Sequence, residues 1–402
     1  MGQVPTDVHN VNINRPRPIP NCKQFSNIKC VYTNCDGLVN KRSEFNFLVE
    51  KERPSIIFLT ETKLSDEVIN EEIFPTSTYE IYRRDRDSQN VGGGVCILVN
   101  KNLKSQQCSS DILINGCECI CCEVTVGSTS ILLSCMYRPP SYSHEENSTF
   151  LNQVECVLRP QSKFHQSLIC GDFNAGEINW ISHEIHPSRA GIAQKLYDKF
   201  HDNFHVQHVT EPTRKRGAHT PTTLDLILTK TELEIENLQH CPPLGASDHE
   251  VLLFDFVTEN QTHSANICQL KFNYWKGNYI ELDKFYSEHD WDSTLVGKNI
   301  FSAEKAFLKV YQSGIEKYVP KKKYQINSFK SNDKWIDRTC ILLINKKKFA
   351  WNRYRRRRTK LRYEYYCKIR NEVTTKLRET KKNYEKQISK EAKRTLKLYL
   401  AI

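Results

Sequence analysis

Residues 167–174 read Ser167-Leu168-Ile169-Cys170-Gly171-Asp172-Phe173-Asn174. An apolar run ends there in a carboxylate and a carboxamide two positions apart. Side chains alternate along a strand, so Asp172 and Asn174 point to one side while Phe173 turns back into a core. An acid and an amide at the mouth of a sheet suit a phosphate and a metal better than they suit packing. The stretch predicts a buried strand with chemistry at its end, and it directs attention to the other strand ends of the chain.

Such runs recur between polar loops. They occupy residues 28–32, 56–59, 95–99, 119–126, 131–136, 168–170, 224–228 and 251–256. Helical spacing lies between some of them, at Phe45, Leu48 and Val49 and again at Ala193, Leu196, Tyr197 and Phe200. Eight or more strands with interspersed helices predict a mixed α/β body of two packed sheets with helices outside.

Polar residues punctuate the ends of these runs. Asn34 follows Val31-Tyr32-Thr33, where an amide serves a metal, a phosphate oxygen or simply a turn. Glu61 follows Ile56-Ile57-Phe58-Leu59-Thr60. Its oxygens suit magnesium, although a surface glutamate opening a loop is the plainer reading. Tyr137-Arg138-Pro139-Pro140 closes another run, and its phenol and guanidinium are both donors for a phosphate. The plainer reading there is a tyrosine capping the core. Asp225 sits inside Thr223-Leu224-Asp225-Leu226-Ile227-Leu228, where a carboxylate is costly unless paired. Ser247-Asp248-His249 enters the last run and offers an imidazole beside an acid, the side chain best suited to proton transfer near neutral pH.

Taken in order, Asn, Glu, Tyr, Asp-x-Asn, Asp and Asp-His resemble the endonuclease/exonuclease/phosphatase family over about residues 27–257. The resemblance implies a four-layered α/β sandwich, two β-sheets face to face with helices outside, here followed by a basic α-helical tail. It also implies hydrolysis of phosphodiester or phosphomonoester bonds with magnesium, manganese being the alternative. By the same resemblance Asn34 and Glu61 hold the metal and Asp248 completes that site. Asp172 orients or deprotonates the attacking water, and Asn174 holds a non-bridging oxygen. His249 touches the scissile phosphate with Asp225 orienting its ring, and Tyr137 donates to the phosphate or the leaving oxygen. Thr213, in Glu211-Pro212-Thr213-Arg214, and Arg138 are the implied substrate contacts. Whether Asp172 or His249 is the base stays open in the sequence.

Within the family, Thr60-Glu61-Thr62-Lys63, the Tyr-Arg-Pro-Pro turn, Glu-Pro-Thr-Arg before Thr-Leu-Asp-Leu, and a basic helical segment after the nuclease resemble the endonucleases of jockey-like and CR1-like non-LTR retrotransposons. That resemblance implies nicking of duplex DNA, in a chain that stops at Ile402 before any reverse transcriptase. Two rival readings remain. One is another phosphohydrolase of the same fold, acting on an inositol phosphate, sphingomyelin or a poly(A) tail. The other is a non-catalytic nucleic-acid-binding remnant.

Charge divides the chain. Of the net +11 on 402 residues, residues 341–402 carry +16 (21 Lys/Arg against 5 Asp/Glu), which leaves the rest at −5. No glycine follows Gly314 and no proline follows Pro320, so nothing local stops a helix after that point. Ile369, Val373, Leu377, Tyr384 and Ile388 recur at intervals of four and seven, one apolar stripe of coiled-coil type on a basic helix. The organisation expected is a flexible leader over 1–26, the nuclease over 27–257, a polar connector over 258–330 and the basic helical segment over 331–402. The basic excess suits a polyanion, duplex DNA first and RNA through the tail. The bland alternative is a solvated helix whose stripe packs on a downstream domain. Arg355-Arg356-Arg357-Arg358 suits nuclear targeting, with the cytoplasm as the alternative.

Sixteen cysteines without a signal peptide argue for a reducing compartment. Cys117, Cys119, Cys121 and Cys122 lack the separated C-x-x-C pairs of a zinc module and read as small strand residues. No apolar run approaches the ~18 residues of a membrane span, so no membrane partner is expected. Met1-Gly2-Gln3-Val4-Pro5-Thr6 formally fits a myristoylation pattern, but a leader punctuated by Pro16, Pro18 and Pro20 reads more simply as flexible chain.

Overall fold

The computed structural model describes residues 24–86, 92–108, 112–159, 164–185, 190–215, 220–260, 268–325 and 335–399. The leader up to residue 23, with its terminal motif and its prolines, lies outside them.

The body runs β1 (Gln24–Asn34), α1 (Arg42–Glu52), β2 (Ile56–Thr60), α2 (Asn70–Ile73), β3 (Tyr79–Arg84), β4 (Val95–Asn100), β5 (Lys104–Gln107), β6 (Glu118–Val126), β7 (Thr129–Tyr137), α3 (His144–Leu158), β8 (Gln166–Asp172), β9 (Ile178–Asn179), β10 (Glu184–Ile185), α4 (Ala190–Asp202), β11 (Val206–Gln207), β12 (Asp225–Thr229), β13 (Ile235–Cys241) and β14 (Val251–Asn260). Twelve of these strands form two six-stranded sheets, ordered β13-β14-β1-β2-β4-β3 and β11-β12-β8-β7-β6-β5. Each sheet has one central parallel pair, β1/β2 in the first and β7/β8 in the second. A helix makes each crossover, α1 in one and α3 in the other, as a parallel pair requires. All other neighbours in both sheets are antiparallel.

Alternation along the strands builds the layers. Cys30, Tyr32, Phe58, Ile97 and Phe254 of the first sheet meet Ile120, Cys122, Leu133, Cys135 and Ile227 of the second in one buried cluster between the sheets. On the outer face of the first sheet, Val31, Ile57 and Leu98 pack against Phe45 and Val49 of α1. On the outer face of the second, Leu132, Ile169 and Phe173 pack against Phe150 and Val154 of α3 and Leu196 and Phe200 of α4. The four-layered sandwich is therefore present. Cys119 and Cys121 face the α3 side and Cys122 the inter-sheet side, all buried thiols of β6. They serve as small strand residues.

Residues 263–332 form a separate compact unit. It holds β15 (Cys268–Phe272), α5 (Tyr279–Ser287), α6 (Trp291–Leu295), α7 (Ile300–Tyr318) and β16 (Lys321–Gln325). β15 and β16 pair antiparallel, and Leu282, Ile315 and Val319 make a small core. The polar connector thus has secondary structure of its own. The stretch after Pro320 opens as a strand before helix resumes, because pairing with β15 overrides the local absence of helix breakers.

Helices α8 (Arg338–Arg356) and α9 (Lys360–Tyr399) pack on each other beside the sandwich, and α9 also meets α1. Ile369, Val373 and Leu377 of the apolar stripe are buried, against Ala350, Trp351, Tyr354 and Cys340 of α8. The stripe's partner is the preceding helix of the same chain. Farther along, Ile388 is exposed. Among the described residues no helix is long and apolar enough to cross a membrane.

Candidate active site

The two central parallel pairs deliver their carboxyl ends to the same end of the sandwich. Asn34 ends β1 opposite Thr60 of β2, so Glu61 follows immediately. Tyr137 ends β7 opposite Asp172, the last residue of β8, and β12 places Asp225 opposite Asp172 on the other side. His249 lies just before β14 and bridges to Arg214. Gly171 is required by this arrangement, since a Cβ there would drive into the Met136 carbonyl of β7. The carboxyl ends of strands at a parallel pair are where α/β proteins place their sites.

The side chains form two hydrogen-bonded groups that face each other, one around Asp172 and one around Asp225. The Asn34 amide nitrogen donates to Glu61 Oε1 and to Asp172 Oδ2, each at 2.9 Å. The other Asp172 oxygen accepts the Asn174 backbone N–H at 3.0 Å. His249 Nδ1 lies 2.7 Å from Asp225 Oδ2, while its Nε2 faces Asp172 and Asp248 at 3.8 Å each. Tyr32 donates its hydroxyl to the remaining Asp225 oxygen at 2.7 Å. Ser247 Oγ donates to the Asn34 carbonyl and accepts the His249 N–H. Glu61 and Asn174 both have left-handed backbones, with φ of 49° and 47°, a conformation that asparagine tolerates and glutamate resists.

Above this network lies a cleft of about 510 Å³. Glu61, Tyr137, Asn174, Asp248 and His249 line it, joined by Asp36, Lys63, Arg214, Lys215 and Tyr363. Asn34, Asp172 and Asp225 are buried beneath it.

Burial sets the charge states. It raises the Asp172 carboxyl to about 7, with the nearby Asp225 adding and the His249 ring pulling back. Burial opposes a charge on the His249 ring, but Asp225, Asp172 and Asp248 outweigh it and lift that ring to about 9. Burial likewise opposes the Asp225 anion. The His249 charge and hydrogen bond, with hydrogen bonds from Thr213 and Tyr32, nonetheless hold it below the usual carboxylate range. Burial, Glu61 and Asp172 push the Tyr137 phenol well up, so it keeps its proton. The picture is an imidazolium held by one carboxylate, beside a second carboxylate that titrates near neutrality.

Two implied substrate contacts are placed elsewhere. Thr213 is fully buried, and its hydroxyl accepts the Leu224 and Asp225 backbone N–H groups. Arg138 is buried under the Asp172–Asn174 loop, donating to the Phe173 and Asn174 carbonyls at 2.6 Å. Neither lines the cleft. Each holds the backbone that carries a site residue, because a buried donor or acceptor must be satisfied locally. Tyr32, read from sequence only as a strand residue, is the third support of this kind. Its sequence signal was a phenol within an apolar strand, which needs a buried partner. Tyr363 carried no such signal.

The donor set fits a hard divalent cation on the Glu61 side. Asp172, Asp225 and His249 also bring ligand atoms within 4.8 Å of one another. There, however, His249 Nδ1 and both Asp225 oxygens are committed to each other and to Tyr32. Glu61 keeps Oε2 toward the cleft, with Lys63 at 3.8 Å, and Asp36 and Asp248 add oxygen donors to the same wall. The Asn34 amide oxygen accepts the Asp36 N–H at 3.0 Å, so Asn34 acts here as a bridge between Glu61 and Asp172.

A family model described as endonuclease–reverse transcriptase matches residues 131–253. No curated protein matches the sequence. Among solved structures, the endonuclease domain of TRAS1, a telomere-specific non-LTR retrotransposon, superposes with a TM-score of 0.46 at 14% identity, over 59% of this chain and 100% of that one. The AP endonuclease LMAP from Leishmania major gives 0.45 at 14% identity, over 59% and 92%. An AP endonuclease from Archaeoglobus fulgidus gives 0.44 at 14% identity, over 57% and 99%. The matched segment runs from β7 into the start of β14 and carries Tyr137, Asp172, Asn174, Asp225, Asp248 and His249; over that segment the chain is similar to the endonuclease–reverse transcriptase family.

Proposed function

We propose that the protein is a divalent-metal-dependent phosphodiesterase that nicks one strand of duplex DNA. One observation carries the reading: eight polar residues from six strand ends or strand-flanking loops meet in one cleft or directly beneath it, with Glu61, Asn34 and Asp172 joined by hydrogen bonds and the His249–Asp225 pair set 3.8 Å from Asp172.

The chemistry follows from the charge states. Asp172 titrates near neutral pH, which suits a base that takes a proton from an attacking water. Asn34 and the Asn174 N–H hold that carboxylate still. His249 keeps its charge and offers Nε2–H to a non-bridging phosphate oxygen, with Asp225 and Tyr32 fixing the ring through its other nitrogen. The Asn174 side chain and the protonated Tyr137 add donors on the cleft wall. Fixed donors aimed at developing charge are worth more in such a site than in water. A divalent cation, which we take to be magnesium, would be held through Glu61 with Asp248 and Asn34 beside it, and when bound neutralises charge on the phosphate oxygens.

The basic rim, Lys63, Arg214 and Lys215, favours a polyanionic strand over a small phosphate ester. The test is conversion of supercoiled plasmid to open circles in the presence of magnesium. Asp172→Ala should slow it by roughly 10²–10⁴-fold, the usual span for a lost general base. Hydrolysis of a phosphoinositide without plasmid nicking would overturn the DNA reading.

A further inference from the structure

We infer that the turn joining α8 to α9 is a second wall of the cleft that grips the phosphates of duplex DNA flanking the cut site. The inference rests on the nuclease reading above and extends it to a surface outside the sandwich.

Tyr363, in the first turn of α9, lines the cleft together with Arg214 and Lys215. Lys215 sits 5.4 Å over the Tyr354 ring of α8, so the hairpin and the loop before β12 share one wall. Arg355 fixes the turn, pairing with Glu211 and, at 3.1 Å, with Glu250. Trp351, Tyr354 and Tyr366 form a buried aromatic cluster behind it. On this support Arg356, Arg357 and Lys360 are exposed and Arg358 half-exposed. The acid on the outer side is Glu364, 4.0 Å from Lys360. The result is an acidic floor of Asp36, Glu61 and Asp248 beside a preordered basic wall.

A cleft of about 510 Å³ admits the scissile phosphate and its neighbours but not a duplex. The rest of the substrate must therefore lie outside it, over the adjoining surface. Duplex DNA carries one charge per about 1.7 Å of axis, so a duplex leaving the cleft on this side carries several phosphates past this turn. A turn already held by the Arg355 pairs and the aromatic cluster adds this contact with less ordering cost than a free segment.

The test is equilibrium binding of a fluorescent DNA duplex, with magnesium, in an Asp172→Asn background that leaves the duplex intact. The combined variant R356A/R357A/R358A/K360A should weaken binding about tenfold or more near physiological salt and flatten the plot of log affinity against log salt by about 3. The charge-keeping variant R356K/R357K/R358K should retain the parent slope. An unchanged affinity and slope in the alanine variant, an equal loss in the lysine variant, or a larger loss for an RNA duplex than for DNA would each overturn the proposal. Plasmid nicking by the unsubstituted chain reads the other claim separately. Absence of nicking with a flattened slope would refute the nuclease alone, and nicking with an unchanged slope would refute the wall alone.

Discussion

Glu61 concentrates the tension of the site in one residue. It leaves β2 into a left-handed backbone at φ 49°, a conformation that costs a non-glycine residue on the order of 1 kcal/mol. Its carboxylate is nonetheless held by Asn34 and aimed at the cleft. Replacing it by asparagine, which adopts this backbone readily, separates the two roles. Glu61→Asn should keep or raise stability in urea, by up to about 1 kcal/mol, while magnesium-dependent nicking falls at least tenfold and the magnesium concentration for half-maximal activity rises. A loss of stability with normal magnesium dependence would remove Glu61 from the metal site. At this scale the sequence was informative where chemistry stands at a strand end: Glu61, Asn174 and His249 line the cleft and Asp172 lies buried beneath it. It misled at Arg138 and Thr213, because a donor beside a site residue reads the same whether it faces substrate or holds backbone. Only the buried carbonyls of Phe173 and Asn174 and the N–H of Asp225 decide that.

At the scale of elements, legibility follows position in the sheet. The eight apolar runs correspond to β1, β2, β4, β6, β7, β8, β12 and β14, the inner strands of the two sheets. Within those two sheets the strands without a run, β3, β5, β11 and β13, are the four edges. Edge strands stay polar to avoid pairing with other chains, so hydrophobic periodicity passes over them. β11 is the shortest, and histidines flank it. His208 Nε2 lies 2.7 Å from Thr229 Oγ, whose own proton goes to the Thr231 carbonyl. His205 buries an Nε2 without a partner. Burial pushes His208 down to about 4, and burial with Lys230 nearby pushes His205 down to about 4. Both rings fold neutral, so the unfolded chain binds more protons between about pH 4 and pH 6.5. Their contribution is therefore complete above pH 6.5 and is lost as pH falls toward 4. Each should be worth about 1–2 kcal/mol of that loss. His208→Gln should flatten the decline in urea midpoint between pH 7 and pH 4.5 relative to the parent chain; an unchanged slope would show that β11 does not carry it.

On the scale of the whole molecule, the charge imbalance read from the sequence acquires a physical use. A −5 body and a +16 tail are complementary surfaces, and the hairpin lies against the sandwich. Lys347 of α8 is buried, with its ammonium on Glu44 of α1 and 2.8 Å from the Pro243 carbonyl. Arg355 reaches Glu250 just before β14. The stripe at Ile369, Val373 and Leu377 was legible as a buried face, but what it buries against was not. Its partner α8 carries Trp351 and Tyr354 among lysines and arginines, and composition alone reads that as a solvated basic surface. Lys347 and Glu44 now provide the decisive measurement. Breaking a buried ion pair by removing one partner strands the other charge and costs about 3–5 kcal/mol, with partial solvent access to Glu44 placing this pair at the lower end. Lys347→Ala and Glu44→Ala should each destabilise the chain, and the double variant should cost clearly less than their sum. A coupling of about 1.5 kcal/mol or more is expected for residues in direct contact. Hydrogen exchange should quicken in both α1 and α8 in either single variant, since the pair joins those helices. Additive effects, with exchange changed only in the substituted helix, would show that the hairpin is not held by this contact, and the basic wall beside the cleft would then lack the rigid support that Lys347 and Arg355 give it.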